Sequence, residues 1–591
     1  MPQPQILRGC GIRYFATQKL SWVYNDCDAF PYNYFRWQGI DGSEVLSVLD
    51  RDYGAQTDAK TVIHRFRARA SKTNYDRILY PYGYGDGGAG PTRDHLENLH
   101  RLKDLEGVPK CELTTPNALF RDMENGPYAP DHYVGELYFA THRGVYTSQA
   151  DVKKGNRKSE FALREADVWS ALTGHHDPAL QETLYKKLLF NQFHDVLPGS
   201  GIAEIYQHSR QDYQEILEGT SEYLKGLLGR PQEDATTVFN SLSWERSALI
   251  PLPQGWTGAR TEEGPLTVQA LSEKPWVRVT LAPFASRVLY RADAQPEAAR
   301  IAGGLPVLEN PMELTEPAVF DETQSGPLFD SVHYRRKLNN SLLSQTVILE
   351  KGSRRITFRT EIDWNESHKL LKVAFPFALH AEEMYNKIQY GFIKRPTHAN
   401  RQYDKDRFEV CNHKWSAVAE DNRGAALLND CKYGISGQGA SLSLSLLRSP
   451  KAPDFRADQG HHSFQYGVYF WDGPLSLSGV VRQGYEMNLE PLCVSGAYPM
   501  DSLLSCSGDG IVIDTVKPAE NGDGLVIRAY QSMNMTLQGR FRLALPFTAV
   551  TETDMLENPI RDVPAGDGSW TADFGPFEVK TFHITGVSFA K

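Results

Sequence analysis

RILYPYGYGDGGAGPTRDHLENLHRLKDL, residues 77–105, carries the pattern on which the front of the chain is read. A short apolar run, Arg77–Tyr82, reads as a strand. It ends in a turn with five glycines around one carboxylate, Asp86, and a helical pattern follows through His95–Leu105. A strand, a Gly/Asp loop and then a helix is how α/β sheets present active-site groups, because ligands bind beyond the carboxyl ends of the strands. Glycines let backbone approach a ligand closely, and an Asp held at a strand end is a sensible general acid. A structural turn is the competing reading. A phosphate loop is not favoured, because the Lys-Ser/Thr pair that completes one is missing.

Working outward, Arg13–Thr17 and Val45–Leu49 read as two further strands. PQILRGCGIRYF reads as the end of a helix running into the first of them. Residues 1–106 are therefore expected to be α/β. Residues 107–232 are helix-rich: Leu184, Leu188, Leu189 and Phe193 recur at helical spacing, Pro198-Gly199 interrupts, and Ile202, Ile205 and Tyr206 restart the pattern, which predicts a helical bundle. From about 233 the texture changes to short alternating segments such as TTVFNSLSW, RRITFRTEIDW, SLSLSLL and FQYGVYFW, punctuated by Gly, Pro, Asn and Asp. A small β domain over 233–290 and a large β-sandwich region over 291–591 are expected. The stretch 291–330 is the most linker-like by composition.

With 591 residues the chain is too long for one hydrophobic core. The formal net charge of −10 argues against a nucleic-acid surface, which needs clustered Lys and Arg. No apolar stretch reaches the length of a membrane span, and the first residues do not read as a secretory signal. Seven cysteines without paired short spacings fit a reducing compartment better than a disulfide framework.

NQFHDVLPGSG, Asn191–Gly201, is the most informative segment for chemistry. It places His194 and Asp195 at the end of an amphipathic helix, just before a Pro-Gly break. Imidazole is a favoured zinc ligand, and a neighbouring carboxylate can hydrogen-bond a substrate hydroxyl. The alternative is a helix-terminal His favoured by the helix dipole, with Asp as a local cap. Lys19, Trp37, Tyr146 and the loop KRPTHANRQYDKDRFEV could line a sugar pocket, or could equally be packing and surface residues. His175-His176-Asp177 reads as an exposed loop and is rejected as a metal site.

In order along the chain, PQILRGCGIRYFATQKLSW, WQGIDGSEVL, YGYGDGGAGPT, GELYFATHRGVYTSQADVKKGNR, NQFHDVLPGS, DWNESHKLLKVAFP, RPTH, RFEVCNHKW, LLNDCKYG and LLRSPKAPD resemble glycoside hydrolase family 38, the α-mannosidases of cytosolic and vacuolar type. The resemblance implies a barrel-like α/β catalytic domain, a three-helix bundle and C-terminal β-sandwich domains. It implies zinc-dependent, retaining hydrolysis of terminal α-mannose from oligosaccharides in the cytoplasm or vacuole, by a protein that can form homo-oligomers. His194 matches a zinc ligand, Asp195 a substrate-contacting acid, Asp86 the general acid/base and Lys19 a basic residue near the sugar. The family's D-x-F-G-Y segment, with the nucleophilic Asp, and its H-x-D zinc motif would precede Met1, so one of four expected zinc ligands is present. The chain also looks short between about 305 and 345. A truncated, catalytically impaired hydrolase is therefore expected, and the alternative is a non-catalytic carbohydrate-binding or scaffold remnant.

Overall fold

A computed structural model describes residues 1–22, 27–72, 74–230, 232–271, 273–294 and 317–589. The chain divides into two compact units. One is 1–143 with 399–408, and the other is 144–398 with 409–591.

In the first unit, helix α1 (Gln3–Gly9) opens with a proline in its first turn, where the missing N–H costs nothing. It leads into strand β1 (Tyr14–Thr17), followed by β2 (Tyr34–Gln38) and β3 (Glu44–Leu49). Helices α2 (Ala59–Arg67), α3 (Arg93–Arg101) and α4 (Pro116–Asn125) precede β4 (Asp131–Val134). The sheet order is β1-β3-β2-β4, with β1 parallel to β3, β2 antiparallel to β3 and β4 parallel to β2. The near-continuous apolar run Val45–Leu49 is explained by burial on both faces. Leu46 and Val48 join a cluster with Tyr34, Phe120 and Met123, whereas Val45 and Leu49 join one with Phe35 and Trp37.

The expected strand Arg77–Tyr82 does not form a ladder. Only Tyr82 pairs, in an isolated parallel bridge to Ala55. Pro81 has no N–H to donate to a ladder, and Leu79 packs against the Tyr34–Met123 cluster instead. The helix expected at His95–Leu105 is α3, which starts two residues earlier because Thr92 caps it and exchanges hydrogen bonds with His95.

The second unit is organised around α5 (Ala150–Thr173), which packs with α6 (Pro178–Asn191) and α7 (Ala203–Leu228). Its first turn is held by Asp458, whose carboxylate accepts hydrogen bonds from the backbone N–H of Gln149 and Ala150 at 3.0 and 2.6 Å. A carboxylate there also meets the positive end of the helix dipole. Midway, the buried Arg157 donates to the Tyr433 hydroxyl at 3.1 Å, the His413 carbonyl at 3.3 Å and Asn488 Oδ1 at 2.8 Å. Near the C-terminus, Val168 and Trp169 enter a core shared with Phe239, Phe284, Phe541, Trp570 and Phe582.

The remainder is mostly β. A nine-stranded sheet runs from Val319–Ser325 to Gly391–Pro396 in spatial order, and a four-stranded sheet centres on Ser441–Arg448. Further sheets of four and five strands form the C-terminal sandwich over 504–585. Strand Leu492–Ser495 returns to pair with Ala235–Asn240, so the five-stranded sheet of the small β region contains a distant segment. Helix Val480–Asn488 interrupts the β pattern. Of the linker-like stretch, 295–316 lies outside the described residues. Val319–Ser325 is instead a strand paired with Phe329–Leu338, with Gly326-Pro327 in the hairpin turn.

Trp169 is completely buried where α5 meets the sandwich core. Trp169→Ala should cost about 3–5 kcal/mol, read as a lowered denaturation midpoint of the second unit; a loss below about 1 kcal/mol would contradict this packing.

Candidate functional site

The NQFHDVLPGSG segment is not the end of a helix. α6 stops at Asn191, and His194 and Asp195 lie in the turn between α6 and α7. That turn is tied to α5 from both sides. Gln192 Nε2 donates to Asn156 Oδ1 at 3.0 Å, and Lys153 Nζ donates to the Leu197 carbonyl at 2.9 Å. Gly199 has φ +84°, and a Cβ there would lie 2.6 Å from the Ser148 carbonyl oxygen, so the Pro-Gly break is a steric requirement of docking on α5.

Within this fixed turn His194 Nε2 is 3.5 Å from Asp195 Oδ2. The side chains are 78% and 60% exposed, so the pair faces outward on its unit. The Phe193 ring lies 4.1 Å from the His194 ring, and Leu189, Phe190 and Ile202 are exposed in the same segment. One imidazole and one carboxylate are two donors. Among the described residues no group of three or more His, Cys, Asp or Glu could hold a metal ion. Zinc sites use three or four protein ligands, so the donors present do not make up a zinc centre.

Asp86, Lys19 and Trp37 belong to the first unit. Asp86 sits in a 3-10 turn, Gly85–Gly87, after the Tyr82 bridge and not at the end of a ladder strand. It is exposed and holds the Tyr53 hydroxyl, which raises the phenol above its usual pKa. Gly85 has φ +55°, and a Cβ there would come within 3.1 Å of the Tyr53 ring, so glycine permits this contact.

Lys19 is half-buried just past β1, with its ammonium 3.7 Å from the Trp22 ring centroid. Trp22 meets Phe139 and His142 edge-on, and burial together with the Lys19 charge lowers the His142 imidazole below its ordinary value. Trp37 is not a pocket aromatic. It is 1% exposed, packs with Phe35, Val45 and Leu49 on one face of the sheet and donates to the Gly135 carbonyl at 2.9 Å. Trp22, three residues from Lys19 in the string TQKLSW, is the aromatic that the sequence reading passed over.

Tyr146 is half-buried at the end of the turn Arg143–Tyr146. The segment 399–408 of the KRPTHANRQYDKDRFEV loop folds into the first unit, where Asp406 accepts from the Asp28 N–H at 3.1 Å and its carbonyl accepts from Arg143. His175 and His176 are exposed, and Asp177 caps α6 through the Leu180 N–H at 3.0 Å.

Two residues at the β1 and β3 ends were not singled out in the sequence. Gln18 is buried, and among the described residues neither of its amide atoms has a partner. Asp50 follows β3 directly, and burial pushes its carboxyl up to about 7 despite the nearby Arg65. The rule applied to Asp86, a carboxylate just past an apolar run, also points to Asp50. The cavity beside Asp50, Arg65 and Tyr80 is only about 20 Å³. That is room for about one water and none for a sugar beside the half-buried Asp50.

Residues 1–141 match the glycosyl hydrolases family 38 N-terminal domain, 140–230 the alpha mannosidase middle domain, 306–456 the family 38 C-terminal domain and 510–582 its C-terminal beta sandwich domain. The chain belongs to glycoside hydrolase family 38. Human alpha-mannosidase 2C1 is 33% identical, over 98% of this chain and 62% of that protein. Alpha-mannosidase G of Dictyostelium discoideum is 31% identical, over 98% of this chain and 64% of that protein. The chain thus spans less than two thirds of the length of these relatives. A crystal structure of an alpha-mannosidase from Enterococcus faecalis V583 superposes with a TM-score of 0.78 at 14% identity, covering 98% of this chain and 85% of that one. The family 38 multidomain fold, with mixed α and β parts and C-terminal β-sandwiches, is that of this chain.

Asp50 provides a test of the first unit. Its folded pKa lies above the unfolded value, so its contribution to stability is full below about pH 4 and is lost as pH rises through 7. Asp50→Asn should therefore match the parent near pH 4 and unfold at a higher temperature than the parent at pH 8. A melting-temperature difference that stays flat across that range would contradict the raised Asp50 carboxyl.

Proposed function

We propose that this chain is an α-mannosidase polypeptide that removes terminal non-reducing α-D-mannose from oligosaccharides by a retaining route. The observation that carries the reading is the ordered match of four family 38 domains. It is supported by the anchored turn that presents His194 and Asp195 together. The four-part division at 106, 232 and 290 belongs to the same proposal.

In this reading Asp86 protonates the leaving glycosidic oxygen and afterwards activates water, the two roles one carboxyl plays in double displacement. The glycine turn keeps its carboxylate open to substrate. Asp195 accepts a hydrogen bond from a sugar hydroxyl, and Lys19 donates to another beside the flat face of Trp22. No residue of this chain is assigned as nucleophile. Zinc dependence is part of the proposal, with His194 as the one ligand assigned in this chain. The described residues supply only the His194–Asp195 pair, so the chain alone is proposed to bind zinc weakly and to turn over feebly.

The same shortage of donors favours one second reading, a carbohydrate-binding or scaffold role without turnover. Seven free cysteines support a reducing compartment, and the cytoplasm or vacuole is proposed. No described helix is long and apolar enough to cross a membrane. A homo-oligomer is proposed, and nucleic acid is not among the proposed partners.

Hydrolysis of an α-linked mannobiose by the 591-residue chain should be feeble, abolished by EDTA, and lowered at least about tenfold by Asp86→Asn. Robust EDTA-sensitive turnover would contradict the weak metal site, turnover indifferent to EDTA would remove zinc, and binding without turnover would establish the second reading.

A further inference from the structure

His194 and Asp195 have the spacing of half a metal site. Two atoms bound to one tetrahedral zinc, each at about 2.0–2.2 Å, stand about 3.4 Å apart. His194 Nε2 and Asp195 Oδ2 are 3.5 Å apart, so they already span one edge of such a tetrahedron. The turn that carries them is held on α5 by the Gln192–Asn156 and Lys153–Leu197 hydrogen bonds, which leaves little ordering to be done on binding. A closed zinc site needs two more donors. Among the described residues no third His, Cys, Asp or Glu groups with this pair.

Leu189, Phe190, Phe193 and Ile202 stand exposed along the same segment, with Phe190 72% exposed. Aromatic and aliphatic side chains beside a few polar ones are the make-up of a protein–protein interface. In a two-fold interface the same patch of each copy meets the other, so the patch must be self-complementary. This patch meets that condition. Apolar side chains pack on their own kind, and each copy brings one imidazole and one carboxylate, which doubles the donors to the four of a tetrahedral site. The two carboxylates carry the charge that balances one divalent ion. Without the ion, symmetry would bring two like charges together, so the metal is part of the fit.

We infer that two copies of this chain join through the α6–α7 turn around one zinc ion held by His194 and Asp195 of each. The inference rests on the proposed role of His194 as a zinc ligand, and it names the interface of the proposed homo-oligomer. Asp195 ligates through Oδ2 and keeps Oδ1 for a sugar hydroxyl. Zinc affinity then rises with chain concentration, while a single chain binds the ion weakly.

The test is analytical ultracentrifugation of the full 591-residue chain in zinc chloride and in EDTA, with bound zinc measured on the same samples. A dimer with one zinc per two chains is expected, and EDTA should raise its dissociation constant at least about tenfold. Cobalt(II) in place of zinc should show the visible absorption of a tetrahedral ion only as the dimer forms. His194→Ala should abolish zinc-driven dimerisation, and Asp195→Asn should weaken it. Phe190→Asp, at an exposed position, should prevent the dimer and leave the melting temperature in EDTA unchanged, which separates a lost interface from a lost fold. Zinc bound one per chain without a change in mass would overturn the inference and leave His194 standing as a ligand. A dimer equally stable in EDTA, or one driven by zinc in His194→Ala, would overturn it as well. A zinc-bridged dimer that cannot cleave α-linked mannobiose would remove hydrolysis and preserve the interface. No zinc binding at any chain concentration would remove both the inference and the zinc dependence of the proposed function.

Discussion

The second unit depends on the burial of α5. A helix that is apolar all round can be buried by hydrophobicity alone, but α5 carries Lys153, Asn156, Arg157, Glu165 and Asp167 into its buried faces. Each polar group put there must be matched. Asp458 answers the first turn, Tyr433, His413 and Asn488 answer Arg157, and Ser241 donates to Glu165. These partners come from segments 76 to more than 300 residues away in sequence, so the helix orders the β regions around it as much as it is ordered by them.

That constraint reaches the candidate site through short links. Lys153 and Asn156, one turn apart on α5, grip the α6–α7 turn from either side, and Gly199 allows the close approach to Ser148. His194 and Asp195 therefore project outward from a rigid base and not from a free loop. A rigid base with an exposed pair suits a residue that completes a larger constellation. It does not by itself enclose a substrate, consistent with two donors where a metal centre needs more.

Local patterns in the sequence foretold much of this. The run Val45–Leu49, the α6–α7 interruption at Pro198-Gly199 and the alternating strands after 235 all follow from side-chain periodicity and turn chemistry, which act over a few residues. What escaped the sequence depends on distant partners. Strand Leu492–Ser495 returns to Ala235–Asn240 across more than 250 residues, and nothing in LCVS announces its mate. Arg77–Tyr82 has strand composition, but Pro81 leaves it without a ladder. Trp37 and Trp22 look alike in sequence, and only packing against Phe35, Val45 and Leu49 separates the core indole from the one beside Lys19. Asp50 was within reach of the strand-end rule, whereas the pairing of Asp458 with the start of α5 had no local signal.

Native-state hydrogen exchange of the amides of α5 tests the central claim most directly. With α5 buried by both the bundle and the C-terminal sandwich, its mid-helix amides from Arg157 to Trp169 should exchange only with the global opening of the second unit, at the same free energy as the strands Leu525–Gln531 and Val579–Thr585. Exchange of α5 at a distinctly lower free energy than those strands would contradict the account, because it would mean that the bundle opens without disturbing the sandwich.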